Sequence, residues 1–137
     1  MLHEWGAELT LDLVIRRDDG SWFLALLLSE PVPGNDGSDL VEPSSEAGYA
    51  RLDVASTAAA WQDPSSQTIR NEIEFVFAKA TAAWGKPEHW AMCDAATAGN
   101  VLLSGRIIPP KEITVNQQPR YKAEHLVVEG LTEIVTV

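Results

Sequence analysis

The stretch WFLALLL, residues 22–28, decides the fold that we expect for this chain. It is short and apolar throughout, and turn-forming residues bound it on both sides, with DDG at 18–20 and SEP at 29–31. Buried helices are usually longer, whereas strands of this length are common. Because the run shows no polar alternation, we expect a strand that is buried on both faces and belongs to the core of the domain.

Further short segments around 22–28 alternate between apolar and polar side chains, as strands with one exposed face do. The clearest is 69–78, in which one face carries Ile69, Asn71, Ile73, Phe75 and Phe77. Other strands are predicted at 49–54, 89–93 and 101–108, and in the tail 126–137. Strands at intervals of about ten residues, with turn signals between them, predict a mainly β fold, an antiparallel β-sandwich or a jelly-roll-like domain.

The N-terminal segment, 1–17, permits two interpretations. Leu2, Trp5, Leu9 and Leu13 follow one another at steps of three and four, which predicts a short amphipathic helix. Residues 9–15 also alternate, which predicts a strand, and we favour the helix. We expect Trp5, Leu9 and Leu13 to contact a second copy or another partner, since aromatic side chains concentrate the binding energy of interfaces.

Length and composition indicate one globular domain that spans 1–137, with 45% hydrophobic and 22% charged residues. The net charge of −10 repels phosphates, so we expect neither nucleic acid nor an anionic membrane as a partner. The longest apolar run falls far short of the roughly 20 residues that span a bilayer. The acidic N-terminus lacks the basic residues of a secretory signal, so we expect assembly in the cytoplasm.

A long exposed loop is predicted at 29–48, because three Pro, three Gly and many Ser and Asp residues cannot order it as a packed element. Loops of this length are often contact surfaces, which makes Asp36 and Asp39 candidate partner-binding residues. Asn35, Asp36, Asp39 and Glu42 also offer oxygen ligands for calcium. Their spacing is not that of an EF-hand loop, so we favour a solvated acidic loop and expect no metal.

Three motifs carry a resemblance to a known family: GYAR at 48–51, ATAAWG at 80–85 and DAATAGN at 94–100. In their order and spacing the chain resembles a family of small tailed-bacteriophage virion structural proteins of the tail fibre, minor tail or head decoration type. The resemblance covers roughly residues 20–108, and the closing region 111–137 departs from the family pattern. The motifs consist of turn residues and aromatics, which a scaffold needs, and their glycines, Gly85 and Gly99, suit chain reversals with positive φ.

The resemblance implies a non-enzymatic component of a tailed-phage particle, an exterior protein of the capsid-decoration (cement) or fibre type. It implies a homo-oligomer, a trimer by analogy, whose further partners are virion proteins such as the major capsid protein or tail proteins. Tyr49 and Arg51 of the first motif join the candidate partner-binding residues. One alternative within this class is a tail-tip or fibre protein that contacts the host.

A carbohydrate-binding module is the alternative from another class, because Trp84 and Trp90 could stack on a sugar. Catalysis is the weakest hypothesis. His89, Cys93 and Asp94 lie close in sequence, but on a strand Asp94 would point away from the other two. The chain has one cysteine and no phosphate-binding or Gly-x-Ser-x-Gly motif, so we expect no disulfide, no catalytic residue and no cofactor.

Overall fold

A computed structural model describes residues 3–129 of the chain. Contacts divide these residues into two compact units, the first formed by 3–20, 55–75 and 121–129 and the second by 21–54 and 76–120. The length of the chain predicts one domain, and the division into two compact units neither confirms nor contradicts this prediction. In chain order the elements are α1 (Glu4–Ile15), β1 (Ser21–Leu27), a short 3-10 helix (Ser45–Ala47), β2 (Leu52–Ala55), β3 (Thr68–Arg70), β4 (Phe75–Val76), β5 (His89–Cys93), β6 (Val101–Arg106), β7 (Arg120–Tyr121) and β8 (Val127–Glu129).

The predicted fold class is confirmed: the chain is mainly β, its sheets are antiparallel, and one short helix lies at the N-terminus. Among the described residues, one sheet has four strands in the order β2-β1-β5-β6, and two further sheets pair β3 with β8 and β4 with β7. No helix within residues 3–129 is long and apolar enough to cross a membrane.

The four-stranded sheet belongs to the second unit and has β1 in its interior. Four consecutive residues, Leu24 to Leu27, are buried, so both faces of the strand are covered, as the run 22–28 predicts. β1 pairs antiparallel with β5, with Ala25 opposite Ala91, and β5 pairs antiparallel with β6. The small side chains at this pair belong to a tightly packed cluster with Leu27 and Cys93.

The turn between β5 and β6 forms as its sequence predicts. The Asp94 carboxylate accepts hydrogen bonds from the Asn100 backbone N–H at 2.7 Å and from the Asn100 Nδ2 at 2.9 Å. Gly99 has φ +76° and Gly85 has φ +87°, so both adopt the left-handed conformation that a glycine tolerates at no steric cost. Asp94, Gly99 and Asn100 therefore shape this turn, whereas Gly85 lies before β5.

The first unit contains α1, and the structure settles which of its two interpretations holds. Residues 4–15 are helical, so the strand interpretation of 9–15 is wrong. The helix buries Ala7, Leu11 and Ile15, three residues that recur every four positions and therefore share one face. α1 contacts β3 in the same unit.

The predicted single strand 69–78 is wrong, because the chain bends between β3 and β4. Asn71 causes the bend through its buried carboxamide: the Nδ2 group donates to the carbonyl oxygens of Ile73 at 2.7 Å and Lys122 at 3.0 Å, and Oδ1 accepts from the Leu126 backbone N–H at 2.9 Å. The Asn71 carbonyl also accepts from the Glu124 backbone N–H at 2.8 Å. A polar side chain thus replaces the regular ladder of a strand here.

The predicted tail strand is confirmed only where it is described. β8 pairs antiparallel with β3, with Ile69 opposite Val128, and both side chains are buried. The predicted alternation continues through Leu131, Ile134 and Val137, which lie outside the described residues.

Replacing Asn71 with alanine should destabilise the protein by about 3 kcal/mol, because it leaves the buried Leu126 N–H group and two partly buried carbonyl groups without their partner. Urea denaturation of the full chain measures this free energy of unfolding. Gln118→Ala, which removes a carboxamide from an exposed position, is the matched control and should change it by less than about 0.5 kcal/mol. Equal stability of the two variants would contradict the role of Asn71.

Candidate functional site

The candidate partner-binding residues fall into two groups, one in each compact unit. Trp5, Leu9 and Leu13 lie on α1 in the first unit. The second group, in the second unit, consists of Asp36, Asp39, Tyr49 and Arg51.

The first group forms an exposed apolar stripe along α1. The exposed fractions are 74% for Trp5, 39% for Leu9 and 62% for Leu13. Because these residues recur every four positions, they share a face of the helix, distinct from the buried face of Ala7 and Leu11. Single exposed apolar residues are ordinary, but three in a row that include a tryptophan form a patch of the kind that marks interaction sites. The helix is therefore apolar on two faces.

An open groove with a volume of about 430 Å³ lies beside this stripe, within the first unit. Trp5 and Leu9 line it from α1, and Pro64 lines it from the segment between β2 and β3. Its volume is at the lower end of the range of about 300–1,000 Å³ found for ligand-binding clefts. The groove has room for a few side chains.

The charged part of the groove lining consists of Glu8, Asp12, Asp63 and Arg16. Arg16 joins two of the carboxylates: its Nη1 donates to Asp12 Oδ1 at 2.9 Å and to Asp63 Oδ1. Glu8 accepts a hydrogen bond from the Gln67 backbone N–H at 3.2 Å. Three carboxylates thus face one guanidinium, and the groove has an excess of negative charge.

Arg51, a member of the second group, uses its donors inside the second unit. Nε and Nη2 bind the Glu42 carboxylate at 2.9–3.2 Å in a bidentate pair, and Nη2 also donates to the Gly37 carbonyl at 2.9 Å. Nη1 donates to the carbonyls of Ala95 and Ala98, each at 2.9 Å. Only 3% of the Arg51 side chain is exposed, so it holds the unit together and offers no free donor to a partner.

These contacts anchor the predicted exposed loop 29–48 to the turn 94–100. The Gly37 backbone N–H donates to the Gly99 carbonyl at 2.8 Å, and a Cβ at Gly37 would lie 1.8 Å from the Ala98 carbonyl oxygen. Gly37, Pro43 and Ala47 are buried, although most of the loop is exposed. The loop is long, as predicted, but ordered at its middle, where only glycine fits.

Asp36 and Asp39 remain accessible at the surface of this loop. Asp39 Oδ2 accepts from the Asp36 backbone N–H at 2.9 Å, and Asp36 Oδ1 accepts from Ser38. The hydrogen bonds from the Ser38 side chain and backbone hold the pKa of the Asp36 carboxyl below its ordinary value. Within residues 3–129, no group of three or more His, Cys, Asp or Glu side chains is placed to hold a metal ion.

Tyr49 is buried and belongs to the Arg51 network. Its hydroxyl donates to Glu42 Oε1 at 2.6 Å and accepts from the Leu26 backbone N–H at 3.1 Å. Its ring meets Trp84 edge-on, with 5.3 Å between the ring centroids. Burial raises the pKa of Tyr49 well above its ordinary value, and the Glu42 carboxylate raises it further. Tyr49 therefore links the loop to β1 and exposes little of its side chain at the surface.

The two tryptophans considered for carbohydrate binding are both in the interior. Trp84 is 2% exposed and Trp90 is 5% exposed. Trp84 Nε1 donates to the Ala47 carbonyl at 2.8 Å. The backbone of Gly105 covers Trp90 so closely that a Cβ there would lie 2.7 Å from the indole. Neither ring has an open face for a sugar in this structure, which removes the basis of that alternative.

The residues considered for catalysis have separate structural roles. Cys93 is fully buried in β5, and burial raises the pKa of its thiol, so a thiolate is disfavoured. His89 lies at the opposite end of the same strand. The Asp94 carboxylate is bound to Asn100, as described above. The three side chains do not combine into a nucleophile and its base.

A comparison with models of known protein families covers most of the chain. Residues 7–129 match the model of a protein family described as Podophage GP4 fiber I protein gp80. The matched range includes residues of both compact units, and Trp5 precedes it. A search of the curated proteins gives no match.

Arg51→Lys should destabilise the protein by about 2–4 kcal/mol, although it keeps the charge, because a lysine cannot reproduce the planar fork that binds Glu42 and three carbonyls. The midpoint of urea denaturation measures the loss. Arg106→Lys, at an exposed position of β6, is the control and should change stability by less than about 0.5 kcal/mol. A stable Arg51→Lys protein would show that the network is dispensable.

Both tyrosines of the chain should resist ionisation in the folded protein. Burial raises the pKa of Tyr49 and of Tyr121 above the ordinary value of 10.0. Since the unfolded chain then releases these protons first, stability is unaffected by them below pH 10 and falls as the pH rises above it. We expect phenolate absorbance to rise together with the loss of near-ultraviolet circular dichroism. A reversible titration near pH 10 in the folded state would contradict the burial of these phenols.

Proposed function

We propose a role for this chain that starts from its family: it belongs to the podophage GP4 fiber I protein gp80 family, whose model matches residues 7–129. The chain is thus a structural fibre component of a tailed-phage particle. Within that class we assign it a non-enzymatic role at the exterior of the particle, where it packs against copies of itself and against neighbouring virion proteins. Assembly takes place in the host cytoplasm.

Self-association is supported by the open edge of the four-stranded sheet. β6 ends this sheet, and among the described residues its outer edge pairs with no other strand. Edge strands are usually protected by charges, proline or bulges. β6 has no proline and carries its first charge at Arg106, and Leu102, which lies at a register shift between β5 and β6, is 38% exposed. Pairing this edge with the opposite edge of the next copy, β2, would satisfy its backbone groups, and we expect three copies joined head to tail in a ring.

Light scattering coupled to gel filtration tests the self-association. We expect the wild-type protein to have three times the 14.9 kDa mass of one chain. Leu102→Lys should reduce this mass toward that of one chain, because a buried lysine opposes edge pairing. Ile73→Lys, at a position 51% exposed in the other unit, is the control and should keep the assembly. A wild-type protein that stays monomeric at all concentrations would overturn the oligomer.

Electron cryomicroscopy of the parent particle tests the position. A fibre-type protein should give density on the tail or collar that fits its four-stranded sheet, and particles without it should have stable heads. Density over the capsid lattice, with weaker heads when the protein is removed, would instead make it a cement protein. Absence from the particle would overturn the proposed function.

A further inference from the structure

We propose that the groove along α1 is a docking site for a segment of another virion protein, one that presents a lysine or arginine side chain beside apolar side chains. This inference rests on the proposed function, because it names the chemistry of one neighbour in the particle. The groove and the stripe of Trp5, Leu9 and Leu13 together form its contact surface.

The apolar half of the surface is already arranged for binding. Trp5 and Leu9 belong to the stripe and also line the groove. An apolar side chain that enters the groove therefore also covers Trp5, which is 74% exposed. Ala7, Leu11 and Ile15 fix α1 to its own unit from the opposite side. The helix therefore needs no folding step to bind, and aromatic side chains on rigid elements are favoured anchors of interfaces.

The polar half of the surface selects a cation. Arg16 neutralises one of the three carboxylates, Glu8, Asp12 and Asp63, that line the groove. An apolar partner would remove the remaining charge from water without compensation. A lysine or arginine of the partner would neutralise this negative charge by forming ion pairs at the rim of the contact, where charge complementarity determines specificity.

A second copy of this chain does not provide that cation through the same face. The sequence of α1, EWGAELTLDLVI, contains Glu4, Glu8 and Asp12 and no lysine or arginine. A symmetric contact would place each acidic groove against the same surface of its mate. Because the two facing surfaces would both be acidic, this contact would be repulsive, and phosphate-rich partners would be repelled for the same reason.

Fluorescence of the full chain tests the proposal with defined peptides. Trp5 is exposed, whereas the other four tryptophans, Trp22, Trp61, Trp84 and Trp90, are each at most 5% exposed. A peptide that covers the stripe therefore changes the emission of Trp5 more than that of the others. The probes are two amphipathic helical peptides of about 14 residues with identical leucine faces, one flanked by lysine and one by glutamate. We expect the lysine peptide to shift the emission to shorter wavelength in a saturable manner, and the glutamate peptide to have no effect.

Matched variants localise the binding. Asp12→Asn combined with Asp63→Asn should weaken the lysine peptide about five- to tenfold, as the loss of two exposed ion pairs predicts, and Leu9→Ser with Leu13→Ser should weaken it as well. The control is Glu30→Gln with Glu112→Gln, which makes the same change in net charge at exposed positions of the other unit and should leave affinity unchanged. Thermal unfolding of each variant establishes that it is folded.

Three outcomes would overturn the docking site. The first is equal weakening by the Asp→Asn pair and the Glu→Gln control pair, which indicates a net-charge effect. The others are equal binding of the glutamate peptide, and a Trp5 shift that depends on protein concentration alone, which indicates a second copy. These failures are separate from a failure of the proposed function. The peptide titration does not depend on where the protein lies in the particle, and particle density does not depend on the peptides.

Discussion

The second unit depends on one buried guanidinium. Only 3% of the Arg51 side chain is exposed, and the Glu42 carboxylate and three carbonyl groups accept its hydrogen bonds. Because Arg51 directly precedes β2, these bonds fix each segment that supplies an acceptor relative to that strand. A buried charge without such compensation would cost several kcal/mol. The network therefore specifies the path of the loop and of the turn 94–100 at once, and the close approach of Gly37 to Ala98 is a consequence of that specification.

The first unit solves a similar problem with a neutral side chain. Its strands are short, with three residues each in β3 and β8, so much of its backbone cannot be satisfied by a ladder. Asn71 donates and accepts through one carboxamide and thereby supplies backbone partners that a longer sheet would have supplied. In each unit, one polar side chain thus supplies hydrogen bonds to several segments that lie outside the strands, and these bonds hold the segments in place.

The sequence predicts the local features and misses the distant pairs. β1, β5 and the turn at Asp94 follow from periodicity and turn chemistry, which operate over a few residues. The two apolar faces of α1 have the same spacing, so periodicity alone cannot tell which one the unit buries. Arg16 and Asp63 are 47 residues apart, and nothing local marks them as partners. The sequence places Glu42 in a solvated acidic loop, whereas its carboxylate binds Arg51, a pairing that no local pattern indicates.

The anchoring of Gly37 also determines where the loop can change in length. The hydrogen bond from Gly37 to Gly99 is a tether that divides one long loop into two shorter ones. Lengthening either of them costs little, because the entropy lost on closing a loop grows only slowly with its length. The tip around Gly34 lies on the free side of the tether, and nothing approaches a Cβ built there within 4 Å. Extra residues at this tip would lengthen an exposed segment without shifting the register of the Arg51 contacts. Gly34 is consequently the natural insertion point for a reporter peptide or a fluorescent label in the folded chain.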